Sequence, residues 1–198
     1  MTSADLNSAA PAPKPAPGEL MKAVRAQDLS AMEDLLRRGA NVNEKNGIGG
    51  TPLIVAAQYD DVEGVRLLLA HHAELENKEA GQNLLGYTAL MYAAANGYTE
   101  VTRVLLEAGA SLETTDDNGE TALSIANNVQ METPTDARMK TILLLENAAE
   151  IRAEALQQIA SVQQGVEEAR HAVVWNRQER LKNKAHRIKI RPDPGGPR

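Results

Sequence analysis

The sequence predicts an all-α solenoid of about four helix-turn-helix units followed by a long C-terminal helix. Three observations predict it. "TALMYAA" starting at Thr88 returns as "TALSIAN" starting at Thr121, 33 residues later. Extending that echo backwards gives a ladder of Gly18, Thr51, Thr88 and Thr121, with steps of 33, 37 and 33 residues. Phe is absent and aromatics total 3% of the chain, so the core must be built from Leu, Val, Ile, Met and Ala. That suits helices packed closely on small residues better than a β-sandwich.

The elements follow in order. Residues 9 to 18, "AAPAPKPAPG", favour extended polyproline II, so residues 1–17 are expected to be a disordered Ala/Pro-rich linker. The start has no apolar run long enough for a signal-peptide core, and Met1 argues against a removed leader. The repeated units begin near 18, 51, 88 and 121 and occupy residues 18–149. Thr51, Thr88 and Thr121 are good N-caps, and Pro52 suits the first helical position, where its missing N–H is harmless. Ala56-Ala57, Ala93-Ala94 and Ala126 allow close helix approach. A second apolar run follows in each unit: Leu35-Leu36, Leu67-Leu68-Leu69, Val104-Leu105-Leu106 and Leu143-Leu144-Leu145. Each second helix is expected to stop at one register, at Gly39, His72, Gly109 and Asn147, residue types that tolerate positive φ.

These units resemble the ankyrin repeat, whose period is about 33 residues. "GTPLIVAA" and "GYTALMYAA" stand where that family has Gly-x-Thr-Pro-Leu-His-x-Ala-Ala, and "EVTRVLLEAGASLE" is similar to its second helix and exit turn. There are departures. Met21, Ile54, Met91 and Ser124 replace the family's His, and unit one lacks the Thr-Pro signature. Unit four carries five additional residues between its helices, around "NVQMETPTD", where Pro134 forbids a continuous helix. The Ala-Pro spacer is similar to those that follow processed leaders in bacterial envelope proteins.

Residues 150–183 read as one helix. Ala155, Ile159, Val162, Val166, Ala169 and Val173 are spaced 4, 3, 4, 3, 4, a heptad seam shorter than the three or four heptads of an assured coiled coil. Repeat arrays need a cover over the last unit's apolar flank. The helix is therefore expected to cap the array, with a dimer-forming or partner-binding helix and a free helix as alternatives. Residues 184–198 read as a basic flexible tail. Charge is divided between the two parts: residues 1–150 hold 11 Lys and Arg against 22 Asp and Glu, and residues 151–198 hold 10 against 5.

Chemistry is sparse. With no Cys there is no disulfide, thiolate metal site or Cys nucleophile. Of the four His, the adjacent pair His71-His72 cannot easily share a metal, and His72 is already explained as a helix stop. "GIGG" at 47–50 runs into Thr-Pro without the Lys-Ser/Thr of a phosphate loop. Asp60-Asp61 and Asp116-Asp117 fall on turns. No enzyme, cofactor or metal site is expected. No segment approaches about 18 consecutive apolar residues, so no membrane span is expected. The compartment stays open, with a soluble cytoplasmic protein favoured over a bacterial periplasmic one.

The ankyrin resemblance implies that a protein partner is held by the hairpin tips and the outward face of the first helices. Carried over position by position, the implied contacts are Ile48, Val55, Gln58, Tyr59, Leu84, Leu85, Tyr87, Tyr92, Asn96, Asp117, Asn118, Glu120 and Ile125. Tyr59, Tyr87 and Tyr92 are expected to contribute most, because tyrosine supplies rigid contact area at low entropic cost. The bland alternative is that the insertion "AGQNLLG" folds its leucines onto a neighbouring unit. The expected function is a non-enzymatic adaptor or inhibitor whose acidic rim favours a partner with a basic patch. The chain is expected to be a monomer, or a weak dimer through its C-terminal helix. The rival is a tether to nucleic acid or an anionic surface through the basic C-terminal segment, which has no interleaved aromatics for stacking.

Overall fold

The structure, a computed structural model, describes residues 13–80, 85–128 and 136–189. Among the described residues lie eight helices: α1 (Glu19–Arg25), α2 (Leu29–Arg37), α3 (Pro52–Gln58), α4 (Val62–Ala70), α5 (Ala89–Asn96), α6 (Thr99–Glu107), α7 (Ala122–Asn128) and α8 (Asp136–Lys189). They form four consecutive pairs, and the chain divides into two compact units, Met1–Ala149 and Glu150–Arg198.

Local chemistry sets the helix starts. The hydroxyls of Thr51, Thr88 and Thr121 accept from the backbone N–H groups of Ile54, Met91 and Ser124 at 3.4, 3.3 and 3.3 Å. Two of the second helices use acids instead: Asp28 caps α2 and Asp61 caps α4 at 3.0 and 2.9 Å. Helix α1 lacks a side-chain cap of its own. Glu44, from the turn after α2, supplies it by accepting from Gly18 N–H at 3.0 Å and Met21 N–H at 3.1 Å. A carboxylate there also faces the positive end of the helix dipole.

Second helices α2, α4 and α6 end at Gly39, His72 and Gly109, with φ of 84°, 64° and 96°. Asn147 is no such stop. It lies inside α8, which runs unbroken to Lys189, so residues 184–189 of the expected tail are helical as well. The physical reason is that "AAEIRAEALQQIA" after Asn147 is rich in strong helix formers and contains no glycine. The insert around Pro134 lies outside the described residues. By burial, Val101 and Leu105 of α6 reappear 40 residues later as Thr141 and Leu145 of α8, all four 0% exposed. Unit four therefore carries seven additional residues rather than five.

One core joins the four units. Ala56, Ala57, Ala93 and Ala94 are all 0% exposed, and Ala126 is 1% exposed. Leu53 and Leu90 are buried with them, but their counterpart in unit four, Leu123, is only half-buried. Asn127 is exposed where Ala57 and Ala94 are buried, and Ser124 is half-buried where Ile54 and Met91 are core. Unit four thus ends the stack with a polar outer face of its own, as a terminal repeat must. Residues 153–171 of α8 are exposed throughout.

Candidate partner-binding face

The hairpin tips are built by one device used twice. Asn46 accepts through Oδ1 from Ile48 N–H at 3.0 Å and Gly50 N–H at 2.8 Å. Asp116 does the same for Asn118 and Glu120, at 2.8 Å each. Neighbouring tips are then joined through the backbone: Ala80 N–H donates to Ile48 C=O and Asp117 N–H to Leu85 C=O, both at 2.9 Å. Gly49, at φ 77°, lies against the next tip so closely that a Cβ there would sit 2.7 Å from Ala80 N.

At the same register in the middle tip stands Glu79, whose N–H donates to Tyr87 C=O at 3.3 Å across the inserted residues. Freed from closing its own turn, its carboxylate turns inward and is 4% exposed. Gln58 Nε2 donates to one oxygen at 3.0 Å, and the Tyr92 hydroxyl donates to the other. Glu79 therefore fastens α3 and α5 to the tip between them. The rings of Tyr87 and Tyr92 meet edge to face, with centroids 5.2 Å apart and planes at 70°. Burial, then the hydrogen bond to Glu79 and its charge, raise the Tyr92 phenol well above its ordinary value. Burial, then the Asp116 and Glu120 charges, raise that of Tyr87.

The residues expected from the sequence divide into three groups. Ile48, Tyr59 and Leu85 are exposed, at 47%, 52% and 45%. Ile48 and Leu85 occupy the same position in consecutive tips, so Leu85 does not fold onto a neighbour. Asn96, Asp117 and Asn118 are exposed, and Gln58, Tyr87, Tyr92 and Glu120 are half-buried. Val55 and Ile125 are core residues, 4% and 2% exposed, and offer nothing to a partner. Both directly precede the small residue on which a neighbouring first helix packs, and this turns them inward. Leu84 lies outside the described residues. Tyr92 is part of the fold's own polar network as well as of this face. Glu79 was missed, although its 33-residue step from Asn46 marks it as the residue that governs a tip.

Among the described residues, no group of three or more His, Cys, Asp or Glu could hold a metal ion. No described helix is long and apolar enough to cross a membrane.

Comparison with known proteins gives the same pattern. The family model for ankyrin repeats, in three copies, matches residues 20–116 and 75–154. The chain is 36% identical over 95 residues to a glycerophosphocholine phosphodiesterase of Schizosaccharomyces pombe, covering 48% of this chain and 8% of that protein. It is 40% identical over 85 residues to ankyrin repeat and SAM domain-containing protein 6 of Mus musculus, covering 43% and 9%. It is 30% identical over 88 residues to ankyrin repeat and SOCS box protein 3 of Bos taurus, covering 44% and 17%. The match thus spans less than a fifth of the length of each of these relatives.

Proposed function

The chain belongs to the ankyrin-repeat family, and on that premise we propose that it is a non-enzymatic adaptor or inhibitor that holds a protein partner across the tips and first helices of units two and three. Ankyrin repeats are in general protein-interaction modules. The observation that carries the reading here is the pair Ile48 and Leu85, equivalent aliphatic side chains left half in solvent on adjacent tips. An isolated exposed aliphatic residue is ordinary, but a repeated one on a single face calls for a partner. Tyr59 adds an exposed ring, while the rigid Tyr87–Tyr92 pair gives the face a preorganised middle. Gln58, Asn96, Asn118, Asp117 and Glu120 supply polar contacts, and the last two favour a partner with a basic patch. Asn96, Asp117 and Asn118 are exposed, whereas Glu120 already accepts from Asn128 Nδ2 at 2.6 Å.

The test is a binding comparison of the full chain with an Ile48→Asp/Leu85→Asp double variant, against partners captured by the wild type. Both side chains are exposed, so melting should be unchanged while binding falls by tenfold or more, about 1.4 kcal/mol. Binding that survives the double variant but collapses at moderate salt moves the activity to the basic C-terminal segment, as a tether to nucleic acid or an anionic surface.

A further inference from the structure

We propose that α8 pairs through residues 159–169 with the same segment of a second copy of this chain, in antiparallel orientation. Every residue of α8 from Ala153 to His171 is exposed. Among them Ile159, Val162 and Val166 are 53%, 67% and 49% exposed. With Ala155 and Ala169 they fall at spacings of 4, 3, 4 and 3, which places all five along one side of the helix. The seam covers about 21 Å at 1.5 Å per residue. Gln158 and Gln163 flank it, so no like charges oppose each other beside it.

Packing and charge both select the orientation. With Val162 opposite Val166 of the second copy, Ile159 falls opposite Ala169, and the two-fold axis repeats both layers. Large side chains then meet small or medium ones in all four layers from Ile159 to Ala169. A parallel pair would instead set Ile159 on Ile159 and leave Ala155 and Ala169 each facing only its own copy, a succession of crowded and empty layers. Residues 150–169 hold four acids against one Arg, whereas residues 170–189 hold seven Lys and Arg against one acid. The antiparallel register brings Glu150 and Glu154 alongside Arg170 and Arg177 of the second copy. A parallel pair would align basic half with basic half, within a screening length of about 10 Å.

Gly165 fits the same register. Glycine is a poor helix residue, and a Cβ built there meets nothing within 4 Å in the single chain. In the antiparallel pair it flanks the seam between Val162 and Val166 and lies across from its own copy. The missing side chain lets the two backbones approach at the centre.

The chain has no Cys, so one introduced thiol reports the orientation without background. The mass of the full chain, followed by sedimentation across concentration, should rise reversibly towards twice the monomer value. Val166→Glu should hold it at the monomer, with array melting unchanged, and Val162→Glu should act likewise. Under mild oxidation Gly165→Cys should form a covalent dimer, and Ala155→Cys should not, because its own copy lies far along the partner helix. Monomer mass at every concentration, or doubling that survives both glutamate variants, overturns the pairing. Efficient cross-linking of Ala155→Cys but not Gly165→Cys overturns the antiparallel orientation.

Discussion

Tyr92 donates its hydroxyl to Glu79, a carboxylate 4% exposed, and so joins the first helix of unit three to the hairpin in front of it. The other Glu79 oxygen is held by Gln58 from unit two. A buried carboxylate is tolerable when donors surround it, and costly when one is removed. Tyr92→Phe should therefore lose about 1.5–3 kcal/mol of unfolding free energy, the range for a hydrogen bond to a charged group. Tyr59→Phe, on an exposed ring, should lose nothing measurable. Urea unfolding of the two variants checks this, and equal stabilities would show that the Tyr92–Glu79 contact is not maintained.

The same contact gives a pH dependence. The folded state holds the Tyr92 proton more tightly than the unfolded chain does, because burial and Glu79 both disfavour the phenolate. The stabilisation is complete below the ordinary tyrosine value of 10.0 and is lost as pH rises from there through the folded value. Wild type should lose stability more steeply than Tyr92→Phe above that point. Parallel alkaline profiles would count against it.

Unit one depends on a residue from the turn that follows it. Glu44 accepts from two N–H groups at the start of α1, where the other first helices use their own threonine. Glu44→Ala should cost about 0.5–2 kcal/mol, as loss of an N-cap does, and should fray the first unit before the rest. Hydrogen exchange confined to α1 and α2 is the expected signature. Unchanged protection there would mean that Gly18 and the chain before it hold the helix unaided.

What the sequence made legible was whatever the repeat imposes locally. Thr51, Thr88 and Thr121 cap helices because a hydroxyl three residues ahead of an N–H acts whatever surrounds it. The positive φ at His72 followed from the Gly39 and Gly109 registers alone. Two kinds of feature were not legible. Val55 and Ile125 were assigned to the surface because their direction depends on how neighbouring helices stack, and spacing within one helix does not carry that. Glu79 was overlooked because the four inserted residues set it farther ahead of Thr88 than Asn46 and Asp116 stand ahead of Thr51 and Thr121. Asn46 and Asp116 close their own tips by short local bonds, whereas Glu79 finds partners 21 and 13 residues away.

His72 ends α4 at φ 64°, where the equivalent residues after α2 and α6 are glycines. A side chain in the left-handed region costs about 1–2 kcal/mol, part of which glycine returns through its freer unfolded state. His72→Gly should therefore stabilise the array by about 0.5–1 kcal/mol. The side chain is exposed, so no packing is lost to offset the gain. Chemical denaturation measures it directly, and a destabilised variant would mean that the imidazole makes a contact the backbone comparison conceals.

Thr102 offers a larger gain from a single buried atom. It is 0% exposed in α6, and its hydroxyl has no hydrogen-bond partner among the described residues. Its counterpart in unit two is Val65, also 0% exposed, so the same helix position already accepts a branched apolar side chain of this shape. Removing an unsatisfied buried hydroxyl recovers its desolvation cost, about 1–3 kcal/mol, without opening a cavity. Thr102→Val should thus raise stability by about 1 kcal/mol or more. Serine at the same place separates the two contributions. Thr102→Ser keeps the unsatisfied hydroxyl but deletes the methyl, so it should fall below wild type while valine rises above it. If valine instead lowers stability, the hydroxyl has a partner in solution, most simply the Tyr98 carbonyl one turn before it in the same helix.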